Sequence, residues 1–430
     1  MEEKSYRNRI ADELLMDKLD AMGAVLIEGA KWCGKTTTAE HAAHSVLYLG
    51  DTDTLQQNLG MLALHPRTLL SGEPPMLIDE WQEAPQLWDA VRFEVDHRDK
   101  DGQFILTGSA TPDERKMQII HHTGTGRFAW LKMRPMSLWE SGESNGTVSF
   151  GSLFAGLNDF AEKTPNHKLD DIAFMMARGG WPGALKKRSE KSMLTVAREY
   201  YNAVTNSDVS RVDGVRRDKE RIRRLMRSYA RHQGSQASIA TIAGDISTNE
   251  AEKLSDNTIA DYIGALKKIF VVEDAAAWNP NLRSKTAVRS TDTRYFVDPS
   301  IAVAALELGP SDLVNDLNTM GLLFETMAIR DLRVYADALN GMVYHYRDKN
   351  GLECDAVMHL FGGSYGLIEI KLGGETLIEE GARSLKALAS RIDTTKMKAP
   401  SFLMVLTAIG PFAYTRQDGV MVVPIGSLKP

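Results

Sequence analysis

Short apolar runs alternate with longer amphipathic stretches over the first 140 residues of the chain. Runs of three or four consecutive apolar residues are typical of strands buried on both faces of a parallel sheet. The stretches between them are long enough for the helices that connect parallel strands. We therefore predict an α/β domain over residues 1–140. Its predicted strands are Ala24–Ile27, Val46–Leu49, Met76–Ile78 and Phe104–Leu106.

Residues 141–311 lack this alternation. Their first part, to about residue 166, is rich in glycine, serine and asparagine, which favours a linker, and helical periodicity dominates after it. Helices are predicted at Ile239–Ile246 and after the capping pair Ser255-Asp256, and a strand follows at Phe270–Asp274. Two helices and a strand in this order predict a winged helix. Such modules contact double-stranded DNA or pack against other domains, and the sequence leaves both roles open.

A third pattern, with helix and strand periods together, covers residues 312–430. A helix around Leu322–Tyr335 precedes the strand Gly341–Arg347. The pair Asn350-Gly351 is a strong signal for a hairpin turn, and it predicts a return strand at Leu352–Leu360. With a further strand at Leu367–Leu372, this region is predicted to form a second α/β domain.

The length and composition are those of a globular protein without membrane attachment. A chain of 430 residues exceeds what one hydrophobic core usually serves, so two or three domains are expected. No apolar run approaches the roughly 20 residues that span a bilayer, and the charged N-terminus lacks the apolar centre of a signal peptide. Cys33 and Cys354 are too few for a disulfide framework, which favours a cytoplasmic location.

The net charge of −6 argues against a surface adapted throughout to nucleic acid, but residues 211–231 are locally basic. The apolar residues of this stretch recur at helical spacing, so the basic side chains occupy the opposite face. That face is either solvated or in contact with a phosphate backbone, and both interpretations stay open. The basic residues are Arg211, Arg216, Arg217, Lys219, Arg221, Arg223, Arg224, Arg227 and Arg231.

The segment after the first predicted strand matches the phosphate-loop pattern G-x-x-x-x-G-K-[ST] without deviation. Its glycines allow successive backbone N–H groups to point at an anion. Lys35 is expected to reach the β- and γ-phosphates of ATP, and the Thr36 hydroxyl to bind Mg²⁺. The following helix adds its N-terminal dipole. The predicted nucleotide-binding residues are Gly29, Ala30, Lys31, Trp32, Cys33, Gly34, Lys35, Thr36 and Thr37.

Two acids end the third predicted strand and complete the expected chemistry. Asp79 is placed to share the Mg²⁺ with Thr36, and Glu80 is placed to polarise the attacking water. Small nucleotide kinases more often lack the second acid. The pair therefore favours hydrolysis over transfer of a phosphoryl group to a metabolite.

Three further residues are candidates for sensing or stabilising the γ-phosphate. Thr107 or Ser109, at the end of the fourth predicted strand, could sense it or simply cap the next helix. Arg127 is the leading candidate to neutralise charge in the transition state, within the chain or toward a neighbouring copy, although a surface role is equally compatible. The predicted catalytic residues are Lys35, Glu80, Ser109 and Arg127.

Several segments together resemble the AAA-type ATPases of the AAA_14 group, which carry a C-terminal DUF4143 domain. These segments are LIEGAKWCGKTT, MLIDEWQEAP, FILTGSATP, GRFAWLKMRPMSLWE and RGGWPGAL. The resemblance implies an AAA-like P-loop NTPase core with an additional strand over 1–140. It also implies a winged-helix region over 141–311 and a domain resembling restriction endonucleases over 312–430. Trp181 and Pro182 lie in a motif that we interpret as a structural turn.

An endonuclease-like domain would need acids and a lysine in a particular order. Glu325, Asp355, Glu369 and Lys371 follow that order, and residues two apart on a strand, such as the last two, share a face. Two carboxylates could hold Mg²⁺ while Lys371 orients water. A charged pair on a solvated sheet face would show the same pattern, so nuclease activity stays an open hypothesis.

These patterns predict an ATP-hydrolysing switch or motor that acts on a partner, with nucleic acid as the expected partner. Two alternatives remain. One is a nucleotide-gated interaction protein with negligible turnover, and the other is an ATP-gated, Mg²⁺-dependent nuclease. A transition-state arginine supplied by a neighbour would require a homo-oligomer.

Overall fold

The computed structural model describes residues 6–111, 120–157, 165, 167–211, 214–215, 217–247, 255–280 and 291–430. The chain divides into two compact units. The first unit comprises Met1–Pro135, Asn206–Arg217 and Gly264–Val271, and the second comprises Met136–Thr205, Asp218–Ile263 and Val272–Pro430. Segments of the predicted middle region therefore belong to both units, and the division does not follow the predicted boundaries.

Five parallel strands form the sheet of the first unit in the order β2-β3-β4-β1-β5. β4 thus lies between β1, which leads into the phosphate loop, and β3, which ends at Asp79, as an additional-strand core requires. The carboxyl ends of β1, β3 and β4 meet at one edge of the sheet. The strands are β1 (Ala24–Glu28), β2 (Ser45–Tyr48), β3 (Met76–Asp79), β4 (Phe104–Gly108) and β5 (Phe128–Lys132).

Alternate residues of these strands face two separate hydrophobic cores, which explains the uninterrupted apolar runs. Ala24 and Leu26 of β1 pack on one side with Trp88, whereas Val25 and Ile27 pack on the other side. Helices cover both faces. The described helices up to residue 111 are α1 (Ile10–Ala21), α2 (Lys35–Ala42), α3 (Thr52–Leu64), α4 (Pro66–Leu69) and α5 (Leu87–Arg98).

Helices dominate the chain between β5 and the second sheet. Local signals explain several of them: the Asp218 carboxylate, for example, caps α12 by accepting a hydrogen bond from the amide of Arg221 at 2.9 Å. The described helices are α6 (Leu138–Ser141), α7 (Phe150–Phe154), α8 (Leu169–Arg178), α9 (Pro182–Leu185), α10 (Glu190–Ala203), α11 (Val209–Arg211), α12 (Lys219–Arg231), α13 (Ile239–Ser247), α14 (Asp256–Lys268), α15 (Pro299–Ala305), α16 (Pro310–Asn315), α17 (Leu317–Ala338) and α18 (Glu375–Arg391).

The two helices expected for a winged helix are present as α13 and α14, but the predicted strand at Phe270–Asp274 is not. Phe270 has a left-handed backbone with φ of 58°, which interrupts an extended strand. Pairing is reduced to isolated antiparallel bridges, between Val272 and Phe296 and between Ala275 and Thr293. Residues 281–290 lie outside the described part. The prediction of a strand here is therefore corrected.

The second unit contains a six-stranded mixed sheet in the order β11-β12-β10-β9-β8-β7. β7, β8 and β9 form an antiparallel meander, and β10 adds in parallel beside β9 after the helix α18. The helix α17 and the three strands predicted for this region are all present. The strands are β7 (Gly341–Arg347), β8 (Glu353–Leu360), β9 (Tyr365–Lys371), β10 (Phe402–Thr407), β11 (Tyr414–Thr415) and β12 (Met421–Pro424).

The segment predicted as a linker from 141 to 166 carries regular structure in its described part. It contains α7 and β6 (Val148–Ser149), which pairs in parallel with β13 (Leu428–Lys429). Residues 158–164 and 166 lie outside the described part. The linker prediction is therefore corrected for residues 148–154.

The glycine–tryptophan motif makes close backbone contacts inside the second unit. The amide of Met136 donates to the carbonyl of Gly180 at 2.7 Å, and a Cβ on Gly180 would lie 2.2 Å from the carbonyl oxygen of Met136. The indole Nε1 of Trp181 donates to Ser300 Oγ at 2.9 Å.

Among the described residues, no helix is both long and apolar enough to cross a bilayer.

Candidate nucleotide-binding site

The phosphate loop runs from the end of β1 to the start of α2, and the backbone requires glycine at Gly29 and Gly34. A Cβ on Gly29 would lie 2.0 Å from the carbonyl oxygen of Met133, so no other residue can approach that backbone as closely. Gly34 precedes α2 with φ of 106°, a conformation that strains other residues. Trp32, with φ of 65°, also has a left-handed backbone and leaves its indole exposed.

Lys35 is buried against the loop rather than paired with an acid. Its Nζ donates to the backbone carbonyls of Gly29 and Ala30 at 2.8 and 2.9 Å. Only 6% of Lys35 is exposed. In the described part of the chain no carboxylate forms an ion pair with this ammonium. Its positive charge is held in place by neutral acceptors and can therefore attract an anion.

Two hydroxyl groups hold one oxygen of Asp79 at the end of β3. Thr36 Oγ1 from α2 donates to Asp79 Oδ1 at 2.8 Å, and Thr107 Oγ1 from β4 donates to the same oxygen at 2.6 Å. Asp79 and Thr107 are almost completely buried. Thr107 was a candidate phosphate sensor, but here its hydroxyl is committed to Asp79. Its position in β4, between β1 and β3, makes it a positioning residue.

Glu80 follows Asp79 with a left-handed backbone, φ of 57°, which turns its side chain out of the strand. Its amide donates to Thr107 Oγ1 at 3.2 Å. Its Oε2 accepts hydrogen bonds from Ser109 Oγ at 2.9 Å and from the Gln82 amide. Among the described residues Oε1 accepts no hydrogen bond. Ser109 therefore contacts the predicted catalytic acid, and one carboxylate oxygen stays available for water.

Two contacts that brace the phosphate loop were missed from the sequence. Arg9 of the N-terminal segment donates to the carbonyls of Cys33 at 2.8 Å and Arg134 at 2.9 Å. Lys31 forms an ion pair of 2.7 Å with Asp208, a residue of the π-helical turn Val204–Asp208 that belongs to the same unit. Neither partner is near the loop in sequence, so no local pattern indicated these contacts.

The remaining loop residues predicted to bind nucleotide have different surroundings. Cys33 is fully buried in the core beneath the loop, and its Sγ donates weakly to the carbonyl of Met133 at 3.5 Å. Thr37, in the first turn of α2, is exposed. Only the backbone of Cys33 can therefore face a ligand.

Arg127 lies at the opposite edge of the sheet from the phosphate loop. It directly precedes β5, whose Phe128 pairs with Ala24 at the start of β1. The length of β1 separates the two edges by about 13 Å. The Arg127 guanidinium instead pairs with Asp96 at 2.7 Å, and 44% of its side chain is exposed. The prediction that Arg127 acts on the site of its own chain is corrected, because parallel pairing places it at the wrong end.

Family models match three segments of the chain. The model described as "AAA domain" (AAA_14) matches residues 22–141, and the domain of unknown function DUF4143 matches residues 320–428. The chain carries an AAA_14 domain followed by a DUF4143 domain. This confirms the arrangement expected from the resemblance. A further domain of unknown function, DUF8612, matches residues 169–312.

Two uncharacterized mycobacterial proteins are similar to most of the chain. Protein Mb2031c of Mycobacterium bovis and protein Rv2008c of Mycobacterium tuberculosis are each 23% identical over 361 residues, which cover 84% of this chain and 73% of theirs. Among solved structures, the Walker-type ATPase PABY2304 of Pyrococcus abyssi matches with 13% identity and a TM-score of 0.43, covering 70% of this chain and 97% of its own.

The DUF4143 domain brings together the four residues proposed from the endonuclease pattern, which we call the acid–lysine cluster: Glu325, Asp355, Glu369 and Lys371. The Nζ of Lys371 lies 2.7 Å from Glu369 Oε2 and 3.1 Å from Asp355 Oδ2. Glu325 Oε1 accepts a hydrogen bond of 2.5 Å from the Tyr295 hydroxyl. The lysine is thus shared between two acids of adjacent strands.

Burial changes the protonation of this cluster. It raises the pKa of Glu369 to about 8, with the negative charge of Asp355 adding to the shift and Lys371 opposing it. Burial likewise raises the pKa of Glu325 well above its usual range. In the described part of the chain, no group of three acid, histidine or cysteine side chains is arranged to hold a metal ion. Lys371 is the basic partner of Asp355 and Glu369 in this cluster.

Proposed function

We propose that this chain is an ATPase whose cycle of nucleotide binding and hydrolysis drives a switch or motor on a partner, for which nucleic acid is our candidate. One observation carries the proposal. Thr36 of the phosphate loop and Thr107 of β4 converge on one oxygen of Asp79, and Glu80 follows directly with an available oxygen.

The phosphate loop supplies binding. Backbone N–H groups between Gly29 and Thr36, together with the N-terminus of α2, would hold the phosphates. Lys35 would shift from the two carbonyls that it contacts toward the β- and γ-phosphates, because anionic oxygens are stronger acceptors for an ammonium than neutral carbonyls.

Thr36 and Asp79 fit a magnesium ion. A hydroxyl and a carboxylate oxygen, 2.8 Å apart, are the hard oxygen ligands that Mg²⁺ prefers. When bound, the ion would neutralise phosphate charge and act as a Lewis acid. Thr107 would keep Asp79 oriented toward that ligand set, because its hydroxyl fixes the same carboxylate.

Glu80 would supply the base for hydrolysis. Ser109 and Gln82 hold Oε2, so Oε1 is directed to orient and deprotonate a water. Because Ser109 directly follows β4, a movement of the Glu80 carboxylate would also move the end of that strand. Ser109 and Gln82 both contact the Glu80 carboxylate. We therefore propose Lys35 and Glu80 as catalytic residues and Ser109 as a residue that positions Glu80.

The finer domain assignments are part of the same proposal. The order α17-β7-β8-β9-α18-β10 supports a restriction-endonuclease-like fold for residues 312–430, and α13 and α14 support a winged-helix relationship within 141–311. We propose a cytoplasmic location. A role for Arg127 in catalysis would require a second copy of the chain, and hence a homo-oligomer.

Turnover of ATP by four forms of the protein tests this function. We expect Lys35→Ala and Glu80→Gln to lower turnover by about a hundredfold or more, since each removes a charge that the reaction uses. The matched control Glu83→Gln, an exposed acid three residues further on, should retain wild-type turnover. Each form is measured with and without double-stranded DNA, and ATP binding is measured separately.

Three outcomes separate the alternatives. Turnover that both substitutions abolish supports the ATPase, and stimulation by DNA supports nucleic acid as the partner. ATP binding without turnover in any condition would favour the nucleotide-gated interaction protein. If wild type does not bind ATP, the proposal fails. The nuclease alternative predicts Mg²⁺-dependent DNA cleavage that is lost when Asp355 or Lys371 is changed to Ala.

A further inference from the structure

A strongly basic groove lies in the second unit between α10, α12 and the end of α15. Its volume is about 610 Å³. Four arginines and two glutamates line it, which leaves an excess of positive charge although the whole chain carries −6. We call this the basic groove; its charged residues are Arg198, Glu220, Arg223, Arg224, Arg227 and Glu307.

The acids of the groove compensate the arginines only weakly. Arg223 lies 2.9 Å from Glu220, and Arg227 lies 3.5 Å from Glu307. All four side chains are at least 40% exposed. Exposed ion pairs contribute little and exchange readily with other ions. A polyanion can therefore replace these glutamates.

The basic surface continues beyond the groove along α12. Lys219, Arg223, Arg227 and Arg231 follow one another at intervals of four residues, so they form a row on one side of the helix. Ile222, Leu225, Met226 and Tyr229 are buried on the other side. Arg216 and the side chain of Arg211, from the same basic stretch, lie outside the described residues.

The length of this row distinguishes a polymer from a small ligand. Twelve steps at 1.5 Å per residue give about 18 Å. A single phosphorylated metabolite would occupy the groove but not the whole row. Double-stranded nucleic acid carries one charge per roughly 1.7 Å of its axis, so it presents phosphates along the full length.

We propose that the basic groove and the row along α12 bind the phosphate backbone of nucleic acid. Arginine suits this task because its planar guanidinium pairs with two phosphate oxygens at once. Contacts to phosphates carry no base information, so binding is independent of sequence. By contrast, the helix α14 balances Asp256 and Asp261 against two lysines. This inference deepens the nucleic-acid part of the proposed function and locates its surface.

Fluorescence anisotropy with labelled oligonucleotides tests the proposal in the full chain without ATP. The variant Arg224→Glu/Arg227→Glu reverses two groove charges. The control Arg383→Glu/Lys398→Glu reverses two exposed charges elsewhere in the same unit. We expect the groove variant to weaken binding by about tenfold or more and to reduce the slope of log Kd against log salt by about two. The control should keep both values close to wild type.

Separate arms with duplex DNA, single-stranded DNA and duplex RNA identify the source of the phosphates. Circular dichroism and thermal melting show whether each variant is folded, and a milder Arg224→Ala/Arg227→Ala variant serves if charge reversal unfolds the protein. Equal losses in groove variant and control, or no binding of any oligonucleotide by wild type, would overturn the proposal. Wild type that binds nucleic acid but not ATP would instead overturn the ATPase and leave the groove standing.

Discussion

The phosphate-loop site and the acid–lysine cluster use similar residues in opposite ways. Both combine a lysine with carboxylates at strand ends. In the first unit Lys35 donates to backbone carbonyls, and hydroxyl groups hold Asp79 and Glu80. In the second unit Lys371 pairs directly with Asp355 and Glu369.

This difference shows what keeps a charged site ready for a ligand. A hydroxyl fixes a carboxylate without cancelling its charge, so the acid can still bind a cation or polarise water. A lysine between two acids offsets part of their negative charge, and burial favours protonation of Glu369 and Glu325. Motifs that look alike in sequence therefore differ in chemical capacity.

Matched aspartate substitutions give the largest expected contrast. We expect Asp79→Asn to lower ATP turnover by about a hundredfold or more, because it removes the charge shared with Thr36. Asp355→Asn should leave turnover close to wild type but reduce the free energy of unfolding by about 1–3 kcal/mol, since Lys371 loses a partner. Steady-state kinetics and denaturant unfolding measure the two effects. Similar losses of turnover in both variants would contradict the comparison.

Two buried threonines at strand ends provide a second, smaller contrast. Thr107→Val removes the hydroxyl that holds Asp79 and accepts from Glu80, and we expect turnover to fall by about tenfold. The Thr407 hydroxyl on β10 is buried and makes no hydrogen bond among the described residues. Thr407→Val should therefore be neutral or stabilise by up to about 1 kcal/mol.

Steady-state kinetics and denaturant unfolding test the two threonine predictions. Wild-type turnover in Thr107→Val would show that Asp79 needs no positioning by β4. A marked loss of stability in Thr407→Val would show that its hydroxyl has a partner in solution.

The last contrast is a pH dependence of stability in the second unit. Burial raises the pKa of Glu369 from 4.5 to about 8, so the folded state holds a proton that the unfolded state loses in this range. Stability contributed by that proton is fully present below pH 4.5 and declines as the pH rises toward 8. Unfolding free energies of wild type and Glu369→Gln at pH 5 to 8 test this. As the pH rises, wild type should lose stability relative to Glu369→Gln. A difference in unfolding free energy that stays constant with pH would contradict the raised pKa of Glu369.

Much of the first site could be predicted because its information is local. The phosphate loop is a contiguous segment, and its glycines, Lys35 and Thr36 carry out their roles through nearby backbone. The apolar runs predicted four of the five strands. β1, β3 and β4 are buried on both faces, whereas the edge strand β2 is partly exposed. The fifth, β5, was not predicted, although Phe128–Leu131 is also an apolar run; Trp130 and Lys132 of this strand are exposed. The AAA_14 and DUF4143 assignments are confirmed, whereas the roles of individual site residues stay predictions.

Tertiary structure alone decided which distant residues meet. Insertion of β4 between β1 and β3 brings Thr107 to Asp79, and packing of the N-terminal segment brings Arg9 to the loop. Parallel pairing of β5 removes Arg127 from its predicted place. The sequence alone determined that the loop can bind phosphate, because phosphate binding depends on Lys35, Thr36 and backbone groups that are adjacent in the chain. Strand order and helix packing decided which side chains stay charged, because partners and burial depend on contacts between segments far apart in the chain.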